Sequence, residues 1–164
     1  MSVYIVDKYC VNLSVSSFYI LLIPVIGFLG RIAYTPLYLM VREHENNVTI
    51  IGFLVCTILS CLLCFDKIGM VLSVIALGGI YAAVSVINTS ILSIYPLRYT
   101  ETGNISSVSG IMDFATYLGA GISSAVYGIA IKHLGYLPMF ISWVVISVIS
   151  MLIVGRDSRA ESVK

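Results

Sequence analysis

Apolar residues run along this chain in five long stretches that short polar connections separate. The stretches cover residues 15–41, 48–65, 68–95, 105–131 and 136–155, which leaves no room for a soluble domain between them. A helix needs about 20 mostly apolar residues to cross a bilayer core that is about 30 Å thick. Each stretch is therefore predicted to be a membrane-spanning helix.

The pattern within the stretches favours helices over the strands of a membrane β-barrel. Barrel strands show about 10 residues of strict alternation between apolar and polar positions, which these unbroken runs lack. The prediction is an all-α, polytopic membrane helix bundle with five transmembrane helices, in which residues 1–164 form a single membrane domain. The first run exceeds the apolar region of a signal peptide and follows Asp7 and Lys8, so we expect it to stay in the mature chain.

Composition supports this class and excludes others. Hydrophobic residues make up 59% of the chain and charged residues 10%, whereas an ordinary soluble domain carries about 25% charge. The formal net charge of +1 gives no basic surface for nucleic acid. The expected surroundings are a lipid bilayer, and no motif indicates a cofactor, a metal or a catalytic constellation.

The basic residues outside the spans predict an orientation. With five spans the termini lie on opposite faces of the membrane, and basic residues favour the cytoplasmic face. We predict a multi-pass protein of the plasma membrane with an external N-terminus and a cytoplasmic C-terminus. The N-terminal face carries Lys8, Lys67 and Lys132, and the other face carries Arg42, Arg98, Arg156, Arg159 and Lys164.

Three strongly polar side chains fall inside the spans at similar depths. Arg31, Asp113 and Asn88 lie roughly 15, 12 and 10 Å from the same end of the bundle, counted at about 1.5 Å per residue. Ionisable residues within a membrane usually face a protein interior or a water-filled path. We therefore predict that the three groups meet in one layer, with Arg31 and Asp113 as a charge pair in a solute pathway. The alternative is an ion pair that only pins two helices, with Asn88 as a bridge between helices.

The spacing of polar and small residues suggests which spans face the interior. In the fourth span they recur every three or four residues and form one helical stripe, which includes Ser109, Asp113 and Tyr117. Thr35 follows Arg31 by one turn in the first span, so Ser109, Tyr117 and Thr35 are further pathway candidates. The second and fifth spans contain no charged residue, Asn or Gln, and are expected to face lipid. Gly119, Gly121, Ser123 and Ala125 are expected to be close-packing sites.

Two stretches resemble a known family of membrane transporters. Residues 100–128 read TETGNISSVSGIMDFATYLGAGISSAVYG and precede a KHLGY turn and a last span. They resemble the final two helices of a major facilitator superfamily transporter. The sequence IPVIGFLGRIAYTPLY, residues 23–38, is similar to that superfamily's eighth helix and the cytoplasmic turn after it. On this register the five spans match helices eight to twelve.

The resemblance implies a secondary transporter whose two six-helix halves rock around a midplane site. It implies that the first, third and fourth spans border the central cavity. The nearest branch, the organophosphate and organic-anion transporters, implies an organic anion or sugar phosphate as the small-molecule solute. The turn at residues 39–45 departs from the family, since it reads LMVREHE with Arg42 as its only Lys or Arg residue. Helices one to seven have no counterpart, so we expect a C-terminal fragment that needs those N-terminal helices.

Two other functions remain open at this point. The chain is alternatively a non-transporting membrane remnant or a partner subunit of another polypeptide. A membrane thiol oxidoreductase would use the Cys61-x-x-Cys64 pair near the N-terminal face, with Cys10 close by. An apolar run disfavours the reactive thiolate, so the prediction is a protein that is not an enzyme.

Overall fold

Long helices account for almost all of the structure. The computed structural model describes residues 2–9, 13–41, 44–65 and 68–162. In these residues the helices are α1 (Ser2–Tyr9), α2 (Leu13–Met40), α3 (Glu45–Leu63), α4 (Met70–Asn88), α5 (Ile105–Leu134) and α6 (Leu137–Ser162). No strand occurs among them, and five helices are long and apolar enough to span a membrane. The prediction of an all-α bundle with five spans is confirmed.

The helices extend beyond the apolar stretches at several ends. A π-helical segment, Thr89–Ile94, and a 3-10 helix, Tyr95–Tyr99, continue α4, so the third span reaches Tyr99. Hydropathy marks only the part of a helix that lies in hydrocarbon, whereas hydrogen bonding continues into polar residues. Some sequence predictions fall on parts of the chain that lie outside the described residues. They concern Cys10, Arg42, Lys67, Lys164 and the side chain of Arg159.

Four spans pack side by side in the order α2, α4, α3 and α6. In an 18-residue apolar stretch of the third span, 56% of the residues are buried, the largest share among the five spans. The core is apolar and includes Leu77 and Ile80 of α4, Cys56 of α3 and Phe140 of α6. The third span is therefore the centre of the bundle.

Helix α5 is the least covered span, which corrects one expectation. It contacts α6 and the two segments that follow α4, and none of its residues is buried. Its predicted interior stripe is thus uncovered by the described residues. The second span, α3, was expected to lie outermost, yet it packs between α4 and α6.

Glycines explain which helices approach each other closely. A β-carbon on Gly30 would lie 2.6 Å from the backbone oxygen of Ala82, so α2 and α4 touch through their backbones. Gly119 and Gly121 of α5 have no atom within 4 Å of such a β-carbon, so they are not close-packing sites among the described residues. Because membrane helices associate where small residues allow close contact, α2 and α4 form the tight pair here.

The short helix α1 is a feature that hydropathy did not indicate. It packs on the end of the bundle where α4 and α6 begin, which we call the N-terminal face. The Tyr9 hydroxyl donates to the Ile68 carbonyl at 2.6 Å and lies 2.8 Å from the Ser73 hydroxyl. Tyr136 donates to Asp7 at 2.6 Å. Eight residues are too few to span a bilayer, so α1 caps the bundle rather than crossing it.

Candidate functional site: a polar cavity between three spans

The three polar residues singled out within the spans line one cavity. It has a volume of about 270 Å³ and lies between α2, the end of α4 and α5. Arg31 comes from α2, Asn88 from α4 and Asp113 from α5. The three groups that were predicted to share a layer thus line the same cavity. The cavity is completed by Thr89, Leu92, Ser93, Thr116 and Tyr117.

Arg31 and Asp113 share the cavity without touching. Among the described residues the ion pair is between Arg98 and Glu45, and the nitrogen and oxygen atoms of Arg31 and Asp113 are further apart than 4.0 Å. Arg31 is exposed and Asp113 is half-buried. A charged side chain uncovered at this depth is costly against lipid, so both groups require water, solute or further protein beside them.

Of the three other residues predicted to line the pathway, one lines the cavity and two lie outside it. Tyr117 lines the cavity one turn beyond Asp113, whereas Thr35 and Ser109 do not line it. Thr35 follows Arg31 by four residues and Ser109 precedes Asp113 by four. Both therefore lie one turn nearer to the end where α2 stops and α5 starts, which we call the C-terminal face.

Two threonine hydroxyls present acceptors to the cavity. Thr89 donates to the Ser85 carbonyl and Thr116 to the Met112 carbonyl, each at 2.9 Å along its own helix. A hydroxyl that donates to its own backbone keeps lone pairs with which to accept. The guanidinium of Arg31 and the amide of Asn88 can donate hydrogen bonds to a polar or anionic solute, whereas the two hydroxyls and the carboxylate of Asp113 can accept from hydroxyl groups of a solute.

The π-helical segment places residues on two sides of α4. Thr89, Leu92 and Ser93 face the polar cavity, whereas Ser90 and Ile91 line a larger cavity of about 680 Å³ at the C-terminal face. This segment was not predictable from the sequence, because nothing in the apolar pattern distinguishes a π-helix from an α-helix. Segments of this kind occur frequently at functional sites.

A polar cluster joins α3 to this segment at the C-terminal face. Thr49 donates to the Ser90 hydroxyl at 2.7 Å, and Ser90 donates to the Glu45 carbonyl at 3.2 Å. The Glu45 carboxylate pairs with Arg98 of the 3-10 helix. Sequence reasoning assigned Glu45 to a loop, so it missed this cluster.

The cysteines and acidic residues do not assemble into another reactive centre in the described part of the chain. Cys56 is buried, Cys61 is exposed and Cys64 is half-buried, and all three are free thiols. No group of three His, Cys, Asp or Glu residues is arranged there to hold a metal ion. The polar cavity is thus the site with the clearest chemistry.

Comparison of the chain with protein-family models, with curated proteins and with solved structures found no match.

Proposed function

We propose that the chain forms the last five helices of a secondary transporter of the major facilitator type. It contributes one wall of a pathway for a small polar or anionic solute, such as an organic anion or a sugar phosphate. The plasma membrane is the proposed location, with the N-terminal face outside. The single observation that carries the proposal is the convergence of Arg31, Asn88 and Asp113 on one cavity between three of the candidate membrane spans.

The exposed stripe of α5 supports the proposal independently. None of the residues of α5 is buried in the described chain, although Asp113, Thr116 and Tyr117 are poorly suited to lipid. A further set of helices on this side would cover the stripe and close the cavity into a pathway. The proposed N-terminal helices of the transporter occupy that position.

In the proposed mechanism the charge pairing in the cavity changes during transport. Arg31 attracts an anionic solute, and Asp113 pairs with Arg31 when the solute leaves. The separation of the two side chains supports this proposal, because Arg31 is then free to bind a solute. Transport by the complete assembly is expected to fall when Asp113→Asn removes the exchangeable charge.

Labelling of single cysteines in the membrane of cells that express the chain tests whether the polar cavity belongs to a solute pathway. The background replaces Cys10, Cys56, Cys61 and Cys64 by alanine or serine, and a single cysteine is then placed at Thr116. The matched control is a single cysteine at Phe114, which is also on α5, is 68% exposed and does not line the cavity. A membrane-impermeant thiol reagent is expected to label position 116 and not position 114.

Solute protection then tests the substrate class. Glycerol phosphate or citrate is expected to slow labelling at position 116, and Arg31→Gln is expected to remove that protection. If neither compound protects while labelling proceeds, the organic-anion assignment is wrong. If position 116 is inert in the intact membrane, a solute pathway there is excluded.

The exposed α5 also favours a second function, that of a non-transporting partner subunit. In that case another membrane protein covers α5 permanently. The cysteine at position 116 would then react in the purified chain and stay inert in the intact membrane, with or without solute.

A further inference from the structure

Another cavity lies between α3, α4 and α6, apart from the polar cavity. Its volume is about 280 Å³ and none of its lining residues is charged. Its mouth is marked by Tyr81, Val84 and Ile146, which are 41%, 39% and 55% exposed. The rest of the wall is largely buried and consists of Phe53, Cys56, Ser60, Ile80, Ile87, Trp143 and Ser147.

Ser60 brings an unpartnered hydroxyl to this wall. The residue is 1% exposed, and its Oγ atom has no hydrogen-bond partner among the described residues. Other hydroxyls on α3 are satisfied, since Thr57 donates to the Phe53 carbonyl along its own helix and Thr49 donates to the Ser90 hydroxyl. A buried hydroxyl without a partner is unfavourable by about 1–3 kcal/mol. Ser60 therefore needs a partner that the cavity can supply.

We propose that this cavity binds an uncharged, lipid-soluble molecule that carries one hydrogen-bonding oxygen on an aliphatic body. The oxygen bonds to Ser60, and the aliphatic body packs against Phe53, Ile80 and Ile87. The absence of lining charges excludes an ionic ligand. The volume lies just below the range of about 300–1,000 Å³ that is typical of drug-sized ligands, so the bound part is small.

The depth of Ser60 in its span also suits a ligand that carries one oxygen on an aliphatic body. It precedes the end of α3 by three residues, which places its hydroxyl roughly 5 Å inside the N-terminal face of the span. The oxygen of a membrane amphiphile lies near this level while its hydrocarbon reaches inward. Both an uncharged bilayer lipid with a hydroxyl group and a separate lipophilic alcohol have this chemistry, and the experiment distinguishes them.

The fluorescence of Trp143 can report ligand binding, because Trp143 is the single tryptophan of the chain and lines the cavity. In detergent micelles, octanol with a terminal bromine is expected to quench Trp143 fluorescence in a saturable way. Ser60→Ala is expected to weaken this binding about fivefold, the effect of one hydrogen bond. Bromooctane, which lacks the hydroxyl, is expected to bind both proteins equally.

A stability measurement makes the test independent of quenching. Ser60→Ala removes the unsatisfied group, so its melting temperature without the probe is expected to equal or exceed that of the parent chain. Bromooctanol is expected to raise the melting temperature of the parent more than that of the variant. The control is Ser73→Ala, because Ser73 is buried outside this cavity and bonds to Tyr9. It is expected to leave the quenching constant unchanged.

A third measurement identifies the source of the ligand and uses diacylglycerol, an uncharged lipid with one free hydroxyl, brominated on its acyl chains. Quenching that depends on Ser60 and that octanol displaces identifies an uncharged bilayer lipid as occupant. Quenching by bromooctanol without a Ser60-dependent contribution from the diacylglycerol identifies a lipophilic alcohol. Quenching by both probes that is unsaturable, or equal in the parent and Ser60→Ala, would overturn the proposal.

Discussion

The α-carbon of Gly30 in α2 faces the backbone of Ala82 in α4. A β-carbon added to Gly30 would lie 2.6 Å from the Ala82 carbonyl oxygen and 2.8 Å from its α-carbon. Real β-carbons essentially never approach other atoms this closely, and backbone atoms cannot swing aside as a side chain can. This contact fixes the distance between the two helices that carry Arg31 and Asn88.

Gly30→Ala is expected to force α2 away from α4 and to destabilise the bundle by about 1–3 kcal/mol, as overpacked sites do. The measurement is thermal unfolding in detergent, followed by circular dichroism. Gly119→Ala on α5 is the matched control, because a β-carbon there meets no atom within 4 Å. An equal loss in both variants would contradict the close contact.

Tyr9→Phe is expected to loosen α1 without unfolding the spans. The substitution removes the bonds to the Ile68 carbonyl and the Ser73 hydroxyl, each worth about 0.5–1.5 kcal/mol. Hydrogen exchange of the α1 amides is expected to accelerate about tenfold, while exchange in α4 stays unchanged. Tyr99→Phe at the C-terminal face serves as control and is expected to leave α1 protected.

The contact between Tyr136 and Asp7 is expected to weaken at high pH. Burial, followed by the hydrogen bond to Asp7, raises the pKa of Tyr136 from 10.0 to about 12. The folded state therefore holds this proton more tightly than the unfolded state does. The stabilisation is fully present below pH 10 and is lost as the pH rises towards 12.

Ultraviolet titration of tyrosinate tests this dependence. The difference between the parent chain and Tyr136→Phe is expected to show one group that titrates near pH 12. Asp7→Asn removes the acceptor charge, so it is expected to lower that midpoint. A Tyr136 midpoint at the ordinary value in the parent chain would show that the contact is absent.

Thiol labelling is expected to separate the cysteines by their exposure. N-ethylmaleimide, which enters membranes, is expected to modify Cys61 and to spare Cys56, which is 4% exposed. Mass spectrometry of the peptides gives the extent of labelling. Rapid modification of both Cys61 and Cys64 by an impermeant maleimide would instead favour the thiol oxidoreductase alternative, because it requires reactive thiolates at the surface.

The polar cavity was largely predictable from the sequence. Arg31, Asn88 and Asp113 stand out because polar groups are rare in apolar runs, and the constant rise of a helix converts their positions into depth. Helical spacing also predicted that Tyr117 belongs to the site. It did not predict Leu92 and Ser93, because the π-helical segment determines which side of the third span these two residues face.

The packing order of the helices was not predictable in the same way. Polarity indicated that α5 is interior and α3 peripheral, yet α3 packs between α4 and α6 while α5 is uncovered. The polarity of a helix face indicates whether that face needs polar surroundings. How closely two helices pack depends instead on whether small residues on one helix face the other helix. Gly52 packs against Ile87 and Gly79 against Leu59, and the sequence cannot show that these pairs face each other.

The sequence by itself determined the number of spans, their helical nature and the depth of the three polar groups. Each of these depends on local quantities: the apolar length of a run, the helical period and the rise per residue. Only the tertiary structure decided that α1 caps the N-terminal face, that α4 is central and that Ser60 lines a cavity. Those features depend on contacts between residues far apart in the chain, such as Tyr9 with Ile68 and Tyr136 with Asp7, which no local pattern specifies.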